Sequence, residues 1–578
     1  MQLLLREDAA GRRKFRDGHA LDVEARVEAG DCVTDLTLLE DDGTALVLGA
    51  GENHSRFREG DPAWLGDGAR PGAGLPVNVI DYDPVAGLLR VERDVFARNE
   101  PFDLEGPCVL DRREISTIDK LARALQRSLS GRAPAGDLPT RLLAGDSLPP
   151  IAPGGLAGSR AEARADGLDP SQEIAYAEAL AAGPLYLVQG PPGSGKTRLL
   201  GSLLRAFAAR GERVLVTAFT HLAINNVLRA CLAGGDAPCP VFKIGRPAQN
   251  PDLQALPITI RPRLRRDAAA EGPLIVGATV YGAIGLWDAL PFDRVVIDEA
   301  AQVPLPMGMA ALGSAPRTTL VGDHQQMGPI VRTDPPDALA GVSIFAHLHA
   351  IYGSTLLTRT YRMNAEINDF VSRHFYAGRL ASDPSCAGRR LALRPGGRFR
   401  DLLDPERPAV VALVDHEGCR QRAPAEAALA AELVIELMAH HRVPAREIAV
   451  IAPYRAQVNA IRQALRARVT KRPVKSGGNL EAEPVIDTVE RIQGQERDVV
   501  IASFTNSDPD YLIRDASFFY SPNRLNVLLS RARVKRIVIA SPLAFRAIPR
   551  DLETLRHASL FRRLHDESDR MVVPGGDA

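Results

Sequence analysis

The sequence predicts an α/β protein with two parallel-sheet domains in tandem, preceded by a small β-rich domain. Three patterns support this prediction. From about Leu168, β-branched runs are each followed by an amphipathic stretch, as in YLVQG and TRLLGSLLRAFAA, which is typical of repeated βα units. A second series of such units begins near Thr355. Residues 1–112 instead alternate apolar and polar positions in short bursts, which favours a small β-barrel or sandwich.

The same patterns place the domain boundaries. Helical spacing over Ile115–Leu129 predicts a stalk after the β-rich domain, and the Gly/Pro/Ala-rich stretch Gly131–Arg160 predicts a linker or irregular crossover. The resulting division is 1–112 for the β-rich accessory domain, 113–165 for the helical stalk and linker, 166–350 and 351–550 for the two α/β domains, and 551–578 for a carboxyl-terminal tail.

The composition excludes several classes of protein. Of the 578 residues, 45% are hydrophobic and 25% are charged, so the chain is neither disordered nor fibrous. Lysine plus arginine equals aspartate plus glutamate at 71 each, so binding to nucleic acid needs a local positive channel. The six cysteines form no CxxC pair, which argues against a zinc or iron–sulfur site built from cysteine ligands. The most apolar segment, Pro273–Trp287, is too short and glycine-interrupted to span a membrane, and we expect a cytoplasmic protein without membrane contact.

A glycine-rich loop is the strongest local motif. GPPGSGKT follows the apolar strand Leu185–Val188 and opens an amphipathic helix, which is the context of a phosphate-binding loop. Backbone amides of such a loop surround phosphate oxygens, and the helix amino end adds positive potential. Lys196 is expected to reach the β and γ phosphates, and Thr197 to hold Mg²⁺. The predicted nucleotide contacts in this segment are Gly190, Pro191, Pro192, Gly193, Ser194, Gly195, Lys196, Thr197 and Arg198.

An acidic pair follows a later strand. RVVIDEAAQ places Asp298 and Glu299 at the end of a hydrophobic run, where carboxylates emerge at the rim of a parallel sheet. We expect Asp298 to hold Mg²⁺ through water, and Glu299 to orient or deprotonate the attacking water. The sequence therefore predicts ATP and Mg²⁺ as cofactors.

Together with these motifs, later segments resemble the superfamily 1 helicases of the group that contains the up-frameshift and senataxin-type enzymes. The segments are VGDHQQMGPI, LTRTYRMNAEINDFVSRHFYAGRL, IDTVERIQGQERDVVI and NRLNVLLSRARVKRIVI, and they follow the family's order between about Leu168 and Ala540. The resemblance implies two RecA-like domains that clamp one ATP between them. It also implies an ATP-dependent helicase or translocase that moves 5′ to 3′ on single-stranded DNA or RNA, and we expect a monomer.

The resemblance implies roles for individual residues. Gln326 would sense the γ-phosphate with support from Asp323. Tyr361 would stack on the base, while Arg362 and Arg531 would act as arginine fingers, which explains why one chain carries both domains. Gly494 and Glu496 would line the nucleotide from the second domain. Gln172, in DPSQEIAYAEAL, would hydrogen-bond the adenine; the alternative is an ordinary solvent-facing glutamine at a helix start.

Nucleic-acid contacts are implied on loops that follow strands. The candidates are Thr220, His221, Asn225, Thr279, Arg455 and Thr488. Small polar groups at helix amino ends suit phosphate and sugar contact, but a helix-capping or loop-stabilising role is an equal alternative for each residue. The basic run Arg261–Arg266 is either a nucleic-acid contact or a solvated face.

Two other functions stay open at this point. The chain could be a nucleic-acid-stimulated ATPase that remodels nucleoprotein complexes, or clamps a strand, without unwinding. A non-motor phosphate-loop enzyme is disfavoured by the two in-chain arginine fingers. The sequence departs from the family at Met327 and Gly328, where leucine and proline are common, and at Thr360, where glutamine is common. The amino-terminal β-domain resembles the family's accessory domain only in position, so no residue in it is assigned a role.

Overall fold

A computed structural model provides the three-dimensional structure. It describes residues 2–50, 55, 57, 61–68, 74–83, 87–94, 97, 106–113, 118–233, 235, 238–247, 250–264, 272–330, 341–470, 483–492 and 494–573. Among these residues, no helix combines the length and the apolar character that crossing a membrane requires.

A closed antiparallel barrel forms the amino-terminal domain, as the alternating pattern predicts. Its strands lie in the order β1-β2-β5-β4-β3-β6. Alternate residues point inward because side chains of a strand alternate between faces, so that Leu46 and Leu48 are buried in one strand and Val77 and Val79 in another. The strands are β1 Cys32–Asp41, β2 Ala45–Gly49, β3 Pro62–Gly66, β4 Leu75–Asp83, β5 Leu88–Arg93 and β6 Cys108–Arg112.

The β-rich domain begins later than predicted. Helices α1 (Gln2–His19) and α2 (Val23–Ala29) precede the barrel, so the prediction of β structure from residue 1 is wrong for this segment. The alternating pattern starts only at the first strand, and α2 carries its own end signals: Asp22 accepts a hydrogen bond from the Ala25 amide at 2.8 Å. A buried ion pair between Arg26 and Asp111 attaches α2 to the barrel.

Three helices connect the barrel to the first α/β domain, namely α3 (Ile118–Leu129), α4 (Leu138–Ala144) and α5 (Leu156–Ala165). The predicted stalk helix is confirmed from Ile118 onward. The predicted irregular stretch Gly131–Arg160 is wrong where it contains α4 and the start of α5. Its proline and glycine mark helix ends, since Pro139 lies in the first turn of α4 and Gly145 follows the last.

The first α/β domain contains a parallel sheet in the order β10-β9-β11-β8-β12-β13-β7-β14. Its two faces are covered by separate apolar clusters, because Leu215 packs in one cluster and the adjacent Val214 and Val216 in the other. The strands are β7 Leu185–Gln189, β8 Arg213–Thr217, β9 Val241–Ile244, β10 Ile258–Arg261, β11 Leu274–Gly277, β12 Arg294–Ile297, β13 Arg317–Gly322 and β14 Thr355–Leu356; the helices are α6 Pro170–Ala181, α7 Lys196–Ala209, α8 His221–Leu232, α9 Val280–Ile284, α10 Leu305–Leu312 and α11 Ile344–Tyr352.

The second α/β domain contains a parallel sheet in the order β19-β18-β20-β21-β17-β22 and a separate pair, β15 with β16. The strands are β15 Arg359–Thr360, β16 Ala381–Ser382, β17 Ala409–Val414, β18 Ile448–Ala452, β19 Val485–Thr488, β20 Arg497–Ser503, β21 Ala532–Ala540 and β22 Asp569–Val573. The helices are α12 Ala365–Phe375, α13 Pro384–Ala387, α14 Arg400–Leu403, α15 Pro424–Ile435, α16 Arg455–Thr470, α17 Pro509–Arg514, α18 Ala516–Phe519, α19 Pro522–Leu529 and α20 Leu552–Glu567.

Two predicted boundaries are shifted by tertiary pairing. The strand at Thr355, which we predicted as the start of the second series, pairs with Val188 of the first sheet. The predicted tail 551–578 is wrong as far as Val573, because α20 buries Phe561 and Leu564 and β22 pairs with β17. An uncovered sheet edge attracts a strand from distant chain, and local sequence does not reveal which segment fills it. Residues 574–578 lie outside the described part of the chain.

The barrel contacts both α/β domains. Arg246 of the first domain forms an ion pair with Glu92 of β5 at 2.7 Å. Arg491 of the second domain donates a hydrogen bond to the backbone oxygen of Ser55 at 3.2 Å. The accessory domain therefore lies against both halves of the molecule.

Candidate nucleotide and nucleic-acid site

The glycine-rich loop lies between β7 and α7, at the carboxyl edge of the first sheet. The amide of Gly190 donates to the Gly322 backbone oxygen at 3.0 Å, which joins the start of the loop to the end of β13. Gly193 has φ +71°, and a Cβ atom there would lie 2.5 Å from Cβ of Arg362. The loop therefore needs glycine at this position, because the second domain approaches it directly.

The loop lysine lies beside an acidic residue. Lys196 Nζ is 3.4 Å from Glu299 Oε1. Burial lowers the pKa of Lys196, but Glu299 and then Asp298 outweigh burial, so the net pKa lies above its usual value and the amine stays charged. Glu299 has φ +48°, a left-handed conformation that is rare for residues with a side chain. This strain turns the chain sharply after β12 and presents the carboxylate to Lys196.

Asp298 is buried next to Lys196, and its Oδ1 has no hydrogen-bond partner among the described residues. Burial and then the charge of Glu299 raise the pKa of Asp298 to about 7, against the effect of Lys196. An unpaired buried carboxylate oxygen is costly, and a hard divalent cation would satisfy it. The residues therefore fit a magnesium ion held by Asp298 and by Thr197 in the first turn of α7.

The segment after β13 joins the two domains. Gln326 Nε2 donates to Asp323 Oδ2 at 2.7 Å, and Asp323 Oδ1 accepts from Gln189 Nε2 at 3.1 Å. From the second domain, Arg531 donates through an NH2 group to Gln326 Oε1 at 3.2 Å. The predicted γ-phosphate sensor and one predicted arginine finger are thus in direct contact.

Arg531 is buried at the junction of α19 and β21. Burial and then the nearby charge of Arg362 lower the pKa of Arg531 to about 9, while Glu299 opposes this shift. The guanidinium stays charged at neutral pH. Its Nε donates to the Val527 backbone oxygen at 2.9 Å, which fixes the direction of the side chain toward the first domain.

The second predicted finger is held by an acidic partner. Arg362 Nε donates to Glu496 Oε2 at 2.5 Å, and its NH1 group donates to the Ser530 backbone oxygen at 3.1 Å. Burial raises the pKa of Glu496, but Arg362 and further arginines outweigh burial, so the net pKa is lowered. Gly494 lies in the same loop, between β19 and β20, with φ +82°. Glu496 therefore orients Arg362 beside the phosphate loop.

The predicted adenine contact has other partners in this structure. Gln172 Oε1 accepts from the Asp169 amide at 3.0 Å, and its Nε2 donates to the Ser194 backbone oxygen at 2.9 Å. This is a capping box at the start of α6, so Gln172 does lie at a helix start, but it is buried rather than solvent-facing as the alternative predicts. Tyr361 donates to Asp169 Oδ2 at 2.9 Å. Contacts of Gln172 and Tyr361 with the base stay predictions.

The remaining loop residues support the loop in different ways. Thr360 of the second domain donates to the Pro192 backbone oxygen at 2.8 Å. Pro191 and Ser194 are buried, and Ser194 Oγ has no partner within the described residues. Arg198 is exposed and donates to the Asp166 backbone oxygen at 3.1 Å. The loop is therefore tied to the second domain through Thr360, whereas Arg198 points to the surface.

The structure also shows a polar connection that sequence reasoning missed. Tyr376, fully buried after α12, donates to Asp323 Oδ2 at 2.6 Å. Asn526 of α19 donates to Tyr376 Oη at 2.9 Å and to the Gln325 backbone oxygen at 2.8 Å. The signal in the sequence was a tyrosine and an asparagine within the apolar stretches of two quoted motifs. These residues connect the second domain to the carboxylate that holds Gln326.

Two predicted nucleic-acid contacts lie on neighbouring strands of the first domain. Thr220 follows β8 and accepts from the Ala223 amide at 3.2 Å, and Thr279 follows β11 and accepts from the Gly282 amide at 3.4 Å. The helix-capping alternative is confirmed for both residues. Since β8 and β11 are paired, both caps lie at one edge of the sheet, and their contact with nucleic acid stays a prediction.

His221 and Asn225, on α8, differ in their surroundings. Asn225 is buried and donates to Asn250 Oδ1 at 3.0 Å, which argues against direct contact with a nucleic-acid strand. His221 Nδ1 lies 2.8 Å from Nζ of the buried Lys243. Burial and then the charge of Lys243 lower the pKa of His221 to about 4, so the ring is neutral and Nδ1 accepts the hydrogen bond.

In the second domain, Arg455 begins α16 after β18, and Thr488 ends the neighbouring β19. Thr488 is buried and Arg455 is half-buried. In the basic run 261–266, Arg261 and Arg263 are exposed, and residues 265 and 266 lie outside the described part of the chain. Both interpretations of that run stay open.

The comparisons with known proteins agree with this geometry. Two family models, both described as "AAA domain", match residues 167–382 and 340–542. The DNA replication ATP-dependent helicase/nuclease dna2 of Schizosaccharomyces pombe is 29% identical over 405 residues, which is 65% of this chain and 28% of that protein. The DNA-binding protein SMUBP-2 of Rattus norvegicus is 28% identical over 440 residues, covering 63% of this chain and 42% of that protein.

The chain spans 28% to 42% of the length of these two relatives. A solved structure, the Arterivirus nonstructural protein 10 (helicase), is 14% identical with a TM-score of 0.39 and covers 89% of this chain and 77% of that chain. By sequence, therefore, this chain is similar to the ATP-dependent helicase/nuclease dna2 and to SMUBP-2, and its two AAA-domain matches together span residues 167–542, which contain most of the two α/β domains.

Proposed function

We propose that this protein is an ATP-driven helicase or translocase that moves 5′ to 3′ on single-stranded DNA or RNA. One observation carries the proposal. Arg531 of the second domain donates a hydrogen bond to Gln326 of the first domain at 3.2 Å. The negative charge of Glu299, also in the first domain, acts to raise the pKa of Arg531 against the effect of burial. A cation from one domain thus faces the hydrolytic groups of the other, which is the arrangement of an ATPase driven by domain closure.

Each polar group has a distinct task in hydrolysis. Lys196 would neutralise the β and γ phosphates. Glu299 would orient the water whose oxygen bonds to the γ-phosphorus as the bond to the β–γ bridging oxygen breaks, and would accept its proton. Arg362 and Arg531 would stabilise the charge of the transition state, a contribution of about 10³ to 10⁵ in rate. Magnesium, held by Thr197 and Asp298, would supply charge neutralisation on the phosphate oxygens.

The same contacts couple hydrolysis to movement. Gln326 depends on Asp323 of its own domain and on Arg531 of the other. Because these bonds form only when the domains meet, each ATP cycle would open and close the cleft. The loops at the ends of the β-strands in both domains would hold the nucleic acid. The two domains would then move along it alternately.

The bound nucleic-acid strand would lie along the carboxyl ends of the β-strands in the two sheets. Thr220 and Thr279 lie there in the first domain, and Arg455 and Thr488 in the second. Helix amino ends and hydroxyl groups bind phosphate and sugar without selecting a base, which suits a neutral protein that follows any sequence. The relatives, a DNA replication helicase/nuclease and a DNA-binding protein, favour DNA as the first substrate to test. A monomeric, cytoplasmic form belongs to the same proposal.

The first experiment is steady-state ATP hydrolysis by the full chain alone, with single-stranded DNA, with single-stranded RNA and with blunt duplex, at one low salt concentration. We expect strong stimulation by one kind of single strand. Strand displacement from duplexes with a 5′ or a 3′ tail then tests unwinding and polarity. Displacement only from the 5′-tailed duplex supports the proposal. Stimulated hydrolysis without displacement identifies instead an ATPase that remodels nucleoprotein complexes.

Two variants test the division of labour. Lys196→Ala should abolish turnover because the phosphates lose their buried cation. Arg531→Ala should retain ATP affinity but lose most hydrolysis, because its charge is needed only in the closed transition state. Equal loss of ATP affinity in both variants, measured with a fluorescent nucleotide, would contradict the assigned roles.

A further inference from the structure

A cluster of potential metal ligands follows α15, away from the nucleotide site. Glu436, His440 and His441 lie in or directly after a π-helical turn, Glu436–His440, that continues α15. The amino end of α15 lies near the carboxyl edge of the second sheet, because Glu426 accepts from Ser503 Oγ at the end of β20 at 2.6 Å. The chain then enters β18 at its amino end. The cluster therefore lies at the sheet edge opposite to the one that carries the nucleotide groups.

The π turn is the reason that three side chains converge. The His441 amide donates to the Glu436 backbone oxygen at 3.1 Å, five residues earlier. In an α-helix only residues three and four positions apart share a face. The wider π turn also brings His441, five positions after Glu436, to the same face as Glu436. One ligand atom from each of the three residues lies within 4.8 Å of the other two, and His441 Nε2 is 4.0 Å from Glu436 Oε1.

A neighbouring loop holds these side chains in place. The Arg398 amide donates to Glu436 Oε1 at 2.7 Å, and the Pro395 backbone oxygen lies 3.2 Å from His440 Nε2. Gly397 has φ +92°, and a Cβ atom there would be 2.5 Å from Glu436 Oε1, so the loop reaches this distance only with glycine. Backbone groups that orient a carboxylate and an imidazole are the usual outer contacts of metal ligands.

The charges at the cluster also suit a cation. The guanidinium of Arg398, whose amide contacts Glu436, forms an ion pair with Glu432 at 2.6 Å. Glu436 is therefore left as the negative charge that faces the two imidazoles.

We propose that Glu436, His440 and His441 form a binding site for a divalent transition-metal ion of the zinc class. Two imidazoles and one carboxylate are ligands that zinc and related ions prefer, whereas Mg²⁺ and Ca²⁺ require mostly oxygen ligands. A bound ion would draw the three ligand atoms closer than their present separation and would retain an open position for water. It would also fasten the end of α15 to the loop 395–398 and stabilise the second domain.

The test uses the full chain after removal of metals with a chelator. Titration with Co²⁺, followed by visible absorption, should show one equivalent bound, which Zn²⁺ displaces and Mg²⁺ does not. Glu436→Gln and His441→Gln should each weaken Zn²⁺ binding at least tenfold in calorimetry. His557→Gln, which alters another half-buried histidine of the same domain, should leave the affinity unchanged.

A second readout covers the case in which a buried variant does not fold. His440 is only half-buried, so His440→Asn should retain the fold. Zn²⁺ should raise the thermal midpoint of the unaltered chain and of His557→Gln, but not that of His440→Asn. Absence of binding by the unaltered chain, or a zinc affinity that is equal in all variants, would overturn the proposal. Metal binding and thermal unfolding do not depend on ATP hydrolysis, so their outcome is independent of the proposed motor activity.

Discussion

Replacing Tyr376 by phenylalanine tests whether hydrolysis depends on contact between the two domains. The change removes one hydroxyl, which donates to Asp323 Oδ2 at 2.6 Å and accepts from Asn526 Nδ2 at 2.9 Å. The ring stays, so the apolar packing is unchanged. Asp323 keeps its bond to Gln326 at 2.7 Å, but the second domain no longer holds it.

The expected magnitude follows from the kind of bond. A hydrogen bond to a charged acceptor contributes about 1.5 to 3 kcal/mol. If this contribution is realised only when the domains close, it appears in the activation barrier, and kcat falls roughly 10- to 150-fold. The KM for ATP should change less than about threefold, because an interaction that is absent from the ground state alters kcat alone.

The assay is steady-state ATP hydrolysis with saturating single-stranded nucleic acid. Tyr520→Phe is the matched control: Tyr520 is buried in the same apolar cluster, and its hydroxyl donates to the Ala544 backbone oxygen at 2.8 Å, within the second domain. Both variants should unfold at similar temperatures. An equal kcat in the two variants, or a raised KM with unchanged kcat for Tyr376→Phe, would refute the coupling role.

Two further predictions concern buried charges. Glu212→Gln should lower the free energy of unfolding by about 3 to 5 kcal/mol. The reason is that Arg294, fully buried and 2.9 Å from Glu212, loses its only ion-pair partner among the described residues. Arg294→Met should cost less, because Glu212 keeps its ion pair with Arg317 at 3.0 Å. Burial lowers the pKa of Lys535 to about 7. Between pH 7 and 10 this lysine is therefore protonated in the unfolded chain but mostly neutral in the folded chain. The free energy of unfolding, relative to that of Lys535→Met, should rise by about 1.4 kcal/mol per pH unit over this range.

Urea unfolding of each variant measures both effects. If Glu212→Gln is no more destabilising than Arg294→Met, the buried guanidinium has another source of compensation. For the lysine, the difference between the unaltered chain and Lys535→Met should be flat below pH 7, because both folded and unfolded lysine are then charged. A difference that is constant from pH 7 to 10 would show that the amine stays protonated in the fold, held by the Asp404 backbone oxygen at 2.9 Å.

Much of the candidate site could be predicted from the sequence. The loop Gly190–Thr197 and the pair Asp298–Glu299 each follow a strand directly, so both lie at the carboxyl edge of one sheet. This follows from local pattern, because parallel strands bring all such ends together. Roles for Arg531 and Gln326 were implied only by the resemblance to a family, and the structure places the two side chains in contact at 3.2 Å.

Other features depend on residues far apart in the chain. Arg362 meets Glu496 across 134 positions, and Tyr376 meets Asp323 across 53. The sequence around Asn225 also does not reveal its buried contact with Asn250, which lies 25 positions further along the chain. No local pattern in the sequence reports such partners.

By itself, the sequence determined the order of strands, loops and helices around the phosphate site, because glycine turns, apolar runs and helix starts are encoded within a few consecutive residues. Tertiary structure decided which segments complete the sheets, as β14 and β22 do, and which groups bridge the two domains. The physical reason is that edge pairing, burial and interdomain hydrogen bonds are settled by the packing of distant segments, whose free energies no short window of sequence contains.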